Sequence, residues 1–183
     1  MAETYPVVLL VEQALSPADA VQVRSLHEEL VAEGQTVSYH VLLPIQDAAA
    51  RIEAAMGSLA GGDLLTSPAI TMSEVDLESV REECQQGSEE ELRLTLARLA
   101  DAGAIATGRV IHEPPVDALA AEVGAIDGRE AIILTRPHVV AEFFHLDWTS
   151  QARRKLGVPV LHLLEHETIE GQSAGGGEGI SGA

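Results

Sequence analysis

Five short apolar runs, spaced along the chain and separated by stretches of helical character, constrain this sequence most. They are PVVLLV at 6–11, TVSYHVLL at 36–43, AIATGRVI at 104–111, AIIL at 131–134 and VPVLHLL at 158–164. Runs of four to eight aliphatic residues suit strands buried on both faces of a sheet. A strand followed by a helix and another strand implies parallel pairing, with the helices packed over the sheet. Five strands are too few for a closed eight-stranded barrel, which also needs about 250 residues. The expectation is an open, doubly wound five-stranded parallel α/β sheet in the order 3-2-1-4-5, with helices on both faces.

The intervening segments carry helix signals. Ser16-Pro17 is an N-cap followed by a first-turn proline. From there a helix is expected to about Glu33, with Ala20, Val23, Leu26, Leu30 and Val31 toward one face and Gly34 as its stop. An alanine-rich helix is expected over 46–59. Ser88 and Glu91 have the spacing of a capping box and predict a helix from 88 to about 102, ended by Gly103. Val116, Leu119, Ala120 and Val123 form a further helical stripe. Asp147 predicts the cap of a last helix to about Leu156, with Gly157 past its end and Pro159 beyond. Residues 1–168 are expected to form one α/β domain. Within it, 61–87 is expected to be a mobile acidic insertion, read as a loop with one short helix. The Gly/Ser-rich residues 169–183 are expected to be a disordered tail.

Charge and cysteine usage narrow the function. There are 29 acidic and 11 basic residues, for a net charge of -18. Such a chain repels nucleic-acid phosphates and anionic membranes, which are recognised by basic patches. Its one cysteine, Cys84, permits no internal disulfide and no cysteine-based zinc site. No apolar run approaches the ~18 residues of a membrane span. The start of the chain lacks a basic region before its first apolar run and reads as a strand rather than a signal peptide. The expected location is the cytoplasm.

In an open α/β sheet a ligand sits beyond the carboxyl ends of the strands, where the strand order reverses. For the order 3-2-1-4-5 this crevice lies between strands one and four. Its lips are Glu12, Gln13 and Ala14 on one side and Thr135, Arg136, Pro137 and His138 on the other. The segment from 131 to 164 also carries three of the five aromatic residues, Phe143, Phe144 and Trp148.

The succession VVLLVEQALSPADA, VIHEPPVDALAAEV, REAIILTRP and SQARRKLGVPVLHLL resembles the universal stress proteins, a branch of the adenine-nucleotide-binding α/β proteins. The resemblance covers about residues 5–165, and its most telling part is the closing LGVPVLHLL. It implies a regulatory, stress-response protein rather than an enzyme, a homodimer formed through the last strand, and ATP, AMP or cyclic AMP as candidate ligands. Two departures stand out. Glu12 occupies the place of the family's nucleotide-contacting aspartate. No glycine occurs between Gly128 and Gly157, where nucleotide-binding members carry a G-x2-G-x9-G-[ST] phosphate loop. Arg136 and His138 offer positive charge there instead.

Each candidate has a plainer structural role beside it. Arg153, Arg154 and Lys155 complement a helix dipole at its last turn. Asp147 is an N-cap, and Thr149 and Ser150 are solvated first-turn residues that could also donate to a phosphate. His145-x-Asp147 could orient a general base, although no nucleophile stands beside it. His162, Glu165 and His166 could suggest metal ligation, but His162 falls on the fifth strand and His166 past its end. Phe143, Phe144 and Trp148 form either a local core or an aromatic wall.

The reading that follows is a regulatory protein binding an adenine nucleotide or another small anion. Its candidate ligand residues are Glu12, Gln13, Thr135, Arg136, His138, His145, Trp148 and Thr149, with no catalytic residue and no metal. Two alternatives stay open. One is an interaction scaffold without a small ligand, using 61–87 or 143–148 as its contact surface. The other is a small nucleotide or phosphate-ester hydrolase using His138, His145 and Asp147.

Overall fold

The structure, a computed structural model, describes residues 4–45, 74–136 and 154–165, with side chains from residue 78 onward in the second segment. The elements are β1 (Thr4–Val11), α1 (Pro17–Ser25), α2 (Glu28–Ala32), β2 (Thr36–Pro44), α3 (Glu74–Asp101), β3 (Ile105–Ile111), α4 (Pro115–Ala125), β4 (Glu130–Thr135) and β5 (Val160–Leu164). All four strand pairings are parallel, and the order is β3-β2-β1-β4-β5. This is the expected α/β sheet.

Alternation along the strands divides the core into two layers, because successive side chains point to opposite faces. Val7, Leu9 and Val11 face one side with Tyr39, Val41, Ile132 and Leu134, where α1 and α3 contribute Val23 and Leu99. Val8 and Leu10 face the other side with Leu42, Ala131 and Ile133, where α4 contributes Ala118, Leu119 and Val123. Both sets on β1 are fully or almost fully buried, as expected for a central strand. Each such aliphatic side chain contributes about 1.5–3 kcal/mol of transfer free energy.

Two helical expectations are corrected. The single helix expected from Pro17 to Glu33 is two helices, broken at Leu26-His27. His27 leaves helical geometry there (φ -116°, ψ 19°) and is buried. Its Nδ1 lies 2.8 Å from Tyr39 Oη and its Nε2 3.2 Å from Glu130 Oε1. The break places the ring between a phenol and a carboxylate.

The second correction concerns Ser88. It does not open a helix but lies inside α3, which already begins at Glu74. Residues 74–87, expected as loop with one short helix, therefore belong to a 28-residue helix. Ser88 is fully buried, and with Cys84, Thr95 and Leu99 it lines the inner face of α3. A capping signature acts only where the preceding turn is not helical. Residues 61–73, the 46–59 helix, the start of the last helix and the 169–183 tail lie outside the described residues. Gly157 has the expected left-handed backbone (φ 66°) after helical residues 154–156.

Candidate functional site at the carboxyl ends of β1 and β4

The strand order reverses between β1 and β4. β1 is followed in sequence by its neighbour β2 on one side, whereas its other neighbour, β4, returns after β3. The chain leaves β1 through Glu12, Gln13, Ala14 and Leu15 before the Ser16 N-cap of α1. Ser16 and Asp19 form a reciprocal capping box: Asp19 N–H donates to Ser16 Oγ at 3.1 Å, and Ser16 N–H to Asp19 Oδ2 at 3.2 Å. Pro17 then sets the first-turn backbone. These local bonds fix where α1 begins and hence where the β1 turn ends.

Glu12 and Arg136 meet across the reversal. Arg136 Nη2 donates to Glu12 Oε1 at 2.6 Å, Arg136 Nε to the same oxygen at 3.2 Å, and the Arg136 backbone N–H to Glu12 Oε2 at 3.2 Å. Both carboxylate oxygens are thus engaged. The side chains remain 24% (Glu12) and 39% (Arg136) exposed, so the pair is partly open to solvent at the carboxyl ends of β1 and β4. The side-chain hydrogen bonds that Arg136 donates to Glu12 hold its pKa above the usual guanidinium range; burial opposes this, and the charges of Glu12, Glu165 and Glu91 add to it.

A second link joins β1 to the edge strand. Gln13 Nε2 donates to Glu165 Oε2 at 2.5 Å, and Glu165 is almost completely buried. The Glu165 backbone N–H donates to the Thr135 carbonyl at 2.9 Å, continuing the β4–β5 ladder past its last paired residues. Thr135 Oγ1 lies 2.9 Å from His162 Nε2. Burial pushes the His162 pKa below its ordinary value of 6.5, favouring the neutral ring beside the hydroxyl.

Helix α3 supports the turn from below. The Leu15 N–H donates to Thr95 Oγ1 at 3.1 Å, and the Arg98 guanidinium donates to the Leu15 carbonyl. Both backbone groups of Leu15 are therefore held by side chains some eighty positions later. Glu91, one turn before Thr95, contributes negative charge felt at Arg136.

Of the eight expected site residues, the structure brings Glu12 and Arg136 into contact and places Gln13 and Thr135 beside them, on Glu165 and His162 respectively. His138, His145, Trp148 and Thr149 lie outside the described residues. The sequence reading did not place Glu165, Thr95, Arg98 and Glu91 around Glu12 to Leu15 and Arg136, where the structure has them. Only Glu165 carried a sequence signal: an acid immediately after an apolar fifth strand falls at the same sheet edge as Glu12 and Arg136. Among the described residues no cluster of three or more His, Cys, Asp or Glu side chains could hold a metal ion, and no helix is long and apolar enough to cross a membrane.

No family model matches the chain, and no curated protein matches it. Solved structures do. The chain is similar to the hypothetical protein MJ0577, with 14% identity over 90% of this chain and 99% of that one, at a TM-score of 0.50. It is similar to a universal stress protein from Archaeoglobus fulgidus (16% identity, 86% and 92% coverage, TM-score 0.47). It is also similar to a universal stress protein family protein from Arabidopsis thaliana with AMP bound (12% identity, 88% and 92% coverage, TM-score 0.48). The all-parallel 3-2-1-4-5 sheet with its helical layers is an α/β fold shared with MJ0577.

Proposed function

We propose that this chain is a universal-stress-protein-like regulatory protein that binds an adenine nucleotide in the crevice between β1 and β4. The observation that carries this reading is the Glu12–Arg136 pair, which spans the strand reversal with three hydrogen bonds. The paired groups are complementary to a nucleoside phosphate. A ribose hydroxyl donates to the Glu12 carboxylate, and a phosphate accepts from the Arg136 guanidinium in place of Glu12. The exchange replaces one partly exposed ion pair, itself weak, by two contacts to a single ligand. Gln13 and Thr135 stand beside the pair as neutral polar groups. His138, His145, Trp148 and Thr149 complete the proposed site.

The acidic surroundings set a preference. Glu12, Glu165 and Glu91 all act on Arg136, so each added phosphate meets more repulsion. The site accordingly favours AMP or cyclic AMP over ATP. Calorimetry and thermal shift with ATP, AMP and cyclic AMP test this; no binding by any of the three overturns the nucleotide assignment. The protein acts by binding rather than by turnover. Nucleotide hydrolysis abolished by His145→Ala would overturn that and favour the hydrolase reading.

The proposed assembly is a cytoplasmic homodimer formed through β5. Among the described residues β5 pairs only with β4, leaving its outer edge open, and Leu161 on it is 38% exposed. Light scattering should give twice the monomer mass, and Leu161→Lys should return the monomer. An unaltered dimer would remove β5 from the interface.

A further inference from the structure

We propose that a cavity at the opposite end of the sheet, beside the amino ends of β2 and β3, binds a small organic carboxylate. The cavity is a half-open groove of about 190 Å³, lined by Arg24, Val31, Gln35, Thr36, Ala104 and Ile105, with Tyr39 and Val37 among its other walls. Its volume is near that of an apolar cavity of about 150 Å³ that takes up benzene. A single ring bearing one carboxylate matches it in size.

Arg24 gives the site its charge. Its Nη1 is enclosed and has no hydrogen-bond partner among the described residues. Three other arginines have partners elsewhere in the fold: Arg109 and Arg136 on carboxylates, Arg98 on the Leu15 carbonyl. The nearest phenol does not supply Arg24. Tyr39 Oη lies 2.8 Å from His27 Nδ1 and donates to the Val23 carbonyl at 3.3 Å. Arg24 lines the cavity, and a carboxylate held there meets its guanidinium with the planar, two-point geometry that guanidinium favours.

The surroundings select the ligand class. In a chain with 29 acidic residues, none of the described residues lining this cavity is acidic. The carbonyls at the ends of α2 and α3 are turned into local bonds, with Gln35 N–H donating to the Leu30 carbonyl and Ala104 N–H to the Leu99 carbonyl, both close to 3 Å. Val31 and Ile105 are large apolar side chains left partly open to water at 37% and 59%. An apolar body covers them, which inorganic phosphate does not. Gln35 and Thr36 offer neutral polar groups beside the charge.

Benzoate is the probe, with benzyl alcohol and inorganic phosphate as comparisons, each titrated into the full chain by NMR. Benzoate is expected to shift the Arg24 Nε–H and Ile105 methyl signals in a saturable way. Benzyl alcohol and phosphate should bind at least about tenfold more weakly, the loss expected for a missing charge-assisted bond or a missing apolar body. Arg24→Gln should weaken benzoate by about tenfold. Ile105→Glu, at an exposed position, should do the same by placing an acid at the rim, and it keeps the test open if Arg24→Gln does not fold. Arg136→Ala should leave benzoate binding unchanged, separating this site from the crevice. Absence of saturable shifts, equal binding by phosphate, or unchanged binding by both rim and Arg24 variants would overturn the proposal.

Discussion

The Leu15 N–H donates to Thr95 Oγ1 at 3.1 Å, tying the turn after the first strand to a helix that begins only at Glu74. Both residues are completely buried. Thr95→Val keeps the shape of the side chain and removes the acceptor, leaving a buried amide unsatisfied. We expect a loss of about 1–3 kcal/mol in urea unfolding, with Thr95→Ser close to the parent. A Thr95→Val protein as stable as the parent would show that water or another group replaces the hydroxyl.

The Glu12–Arg136 pair is predicted to matter more for binding than for folding. Its groups are partly exposed, so Arg136→Ala should cost less than about 1 kcal/mol of stability. The same substitution should weaken AMP binding by about tenfold or more, since it removes the charged donor. Chemical denaturation and calorimetry on one preparation separate the two effects. Unchanged AMP affinity would take Arg136 out of the site.

Two glycines are predicted to respond oppositely to alanine. A Cβ on Gly108 would lie 2.7 Å from the Val41 carbonyl oxygen and 2.9 Å from Leu92 Cδ1. The backbone contact cannot relax without separating β2 from β3, so Gly108→Ala should cost about 1–3 kcal/mol. A Cβ on Gly124, within α4, meets nothing within 4 Å. Gly124→Ala should stabilise by about 0.4–1 kcal/mol through helix propensity and reduced unfolded-state freedom. Thermal unfolding midpoints should move in opposite directions.

The pH dependence at the crevice follows from His162. Burial lowers its folded pKa below 6.5, so below pH 6.5 the unfolded chain takes up this proton more readily than the folded one. The His162 contribution to stability is therefore fully present above pH 6.5. It is lost progressively as the pH falls from there through the lowered folded value. An NMR titration should place the His162 midpoint below that of a free histidine. A midpoint at or above 6.5 would contradict the burial that sets it.

At the amino end of the sheet, Tyr39 Oη lies within 2.8 Å of His27 Nδ1, and Tyr5 Oη donates to Glu130 Oε2 at 3.2 Å. Burial chiefly raises the Tyr39 phenol above its ordinary value, which keeps it neutral and able to donate. Tyr39→Phe should destabilise by about 1–3 kcal/mol, because His27 is left buried with one ring nitrogen unanswered. Equal stability in urea unfolding would mean that the two groups contribute little together.

The strands and their order were legible because their signal is local and strong. Aliphatic runs such as PVVLLV have one economical fate, and the alternating helices restrict how they can pair. The position of the crevice followed from that order, and Glu12 and Arg136 from the ends of two runs. The interior of α3 was not legible. Ser88 and Glu91 have the spacing of a cap, and only the helical turn before them removes that role. The His27 break was hidden for the same reason: the ring's partners, Tyr39 and Glu130, lie 12 and 103 positions away in sequence.

What the sequence determined by itself is therefore the class of sheet and the end of it where Glu12 and Arg136 meet, since both rest on hydrophobic period and strand order. What only the tertiary structure decided is how the polar groups are satisfied: Gln13 on Glu165, Leu15 on Thr95 and Arg98, and His27 between Tyr39 and Glu130. Apolar burial is non-directional and can be read from pattern alone. A hydrogen bond requires two atoms within about 3 Å at a fixed angle, and chain-distant partners acquire that geometry only once the sheet and its helices are assembled.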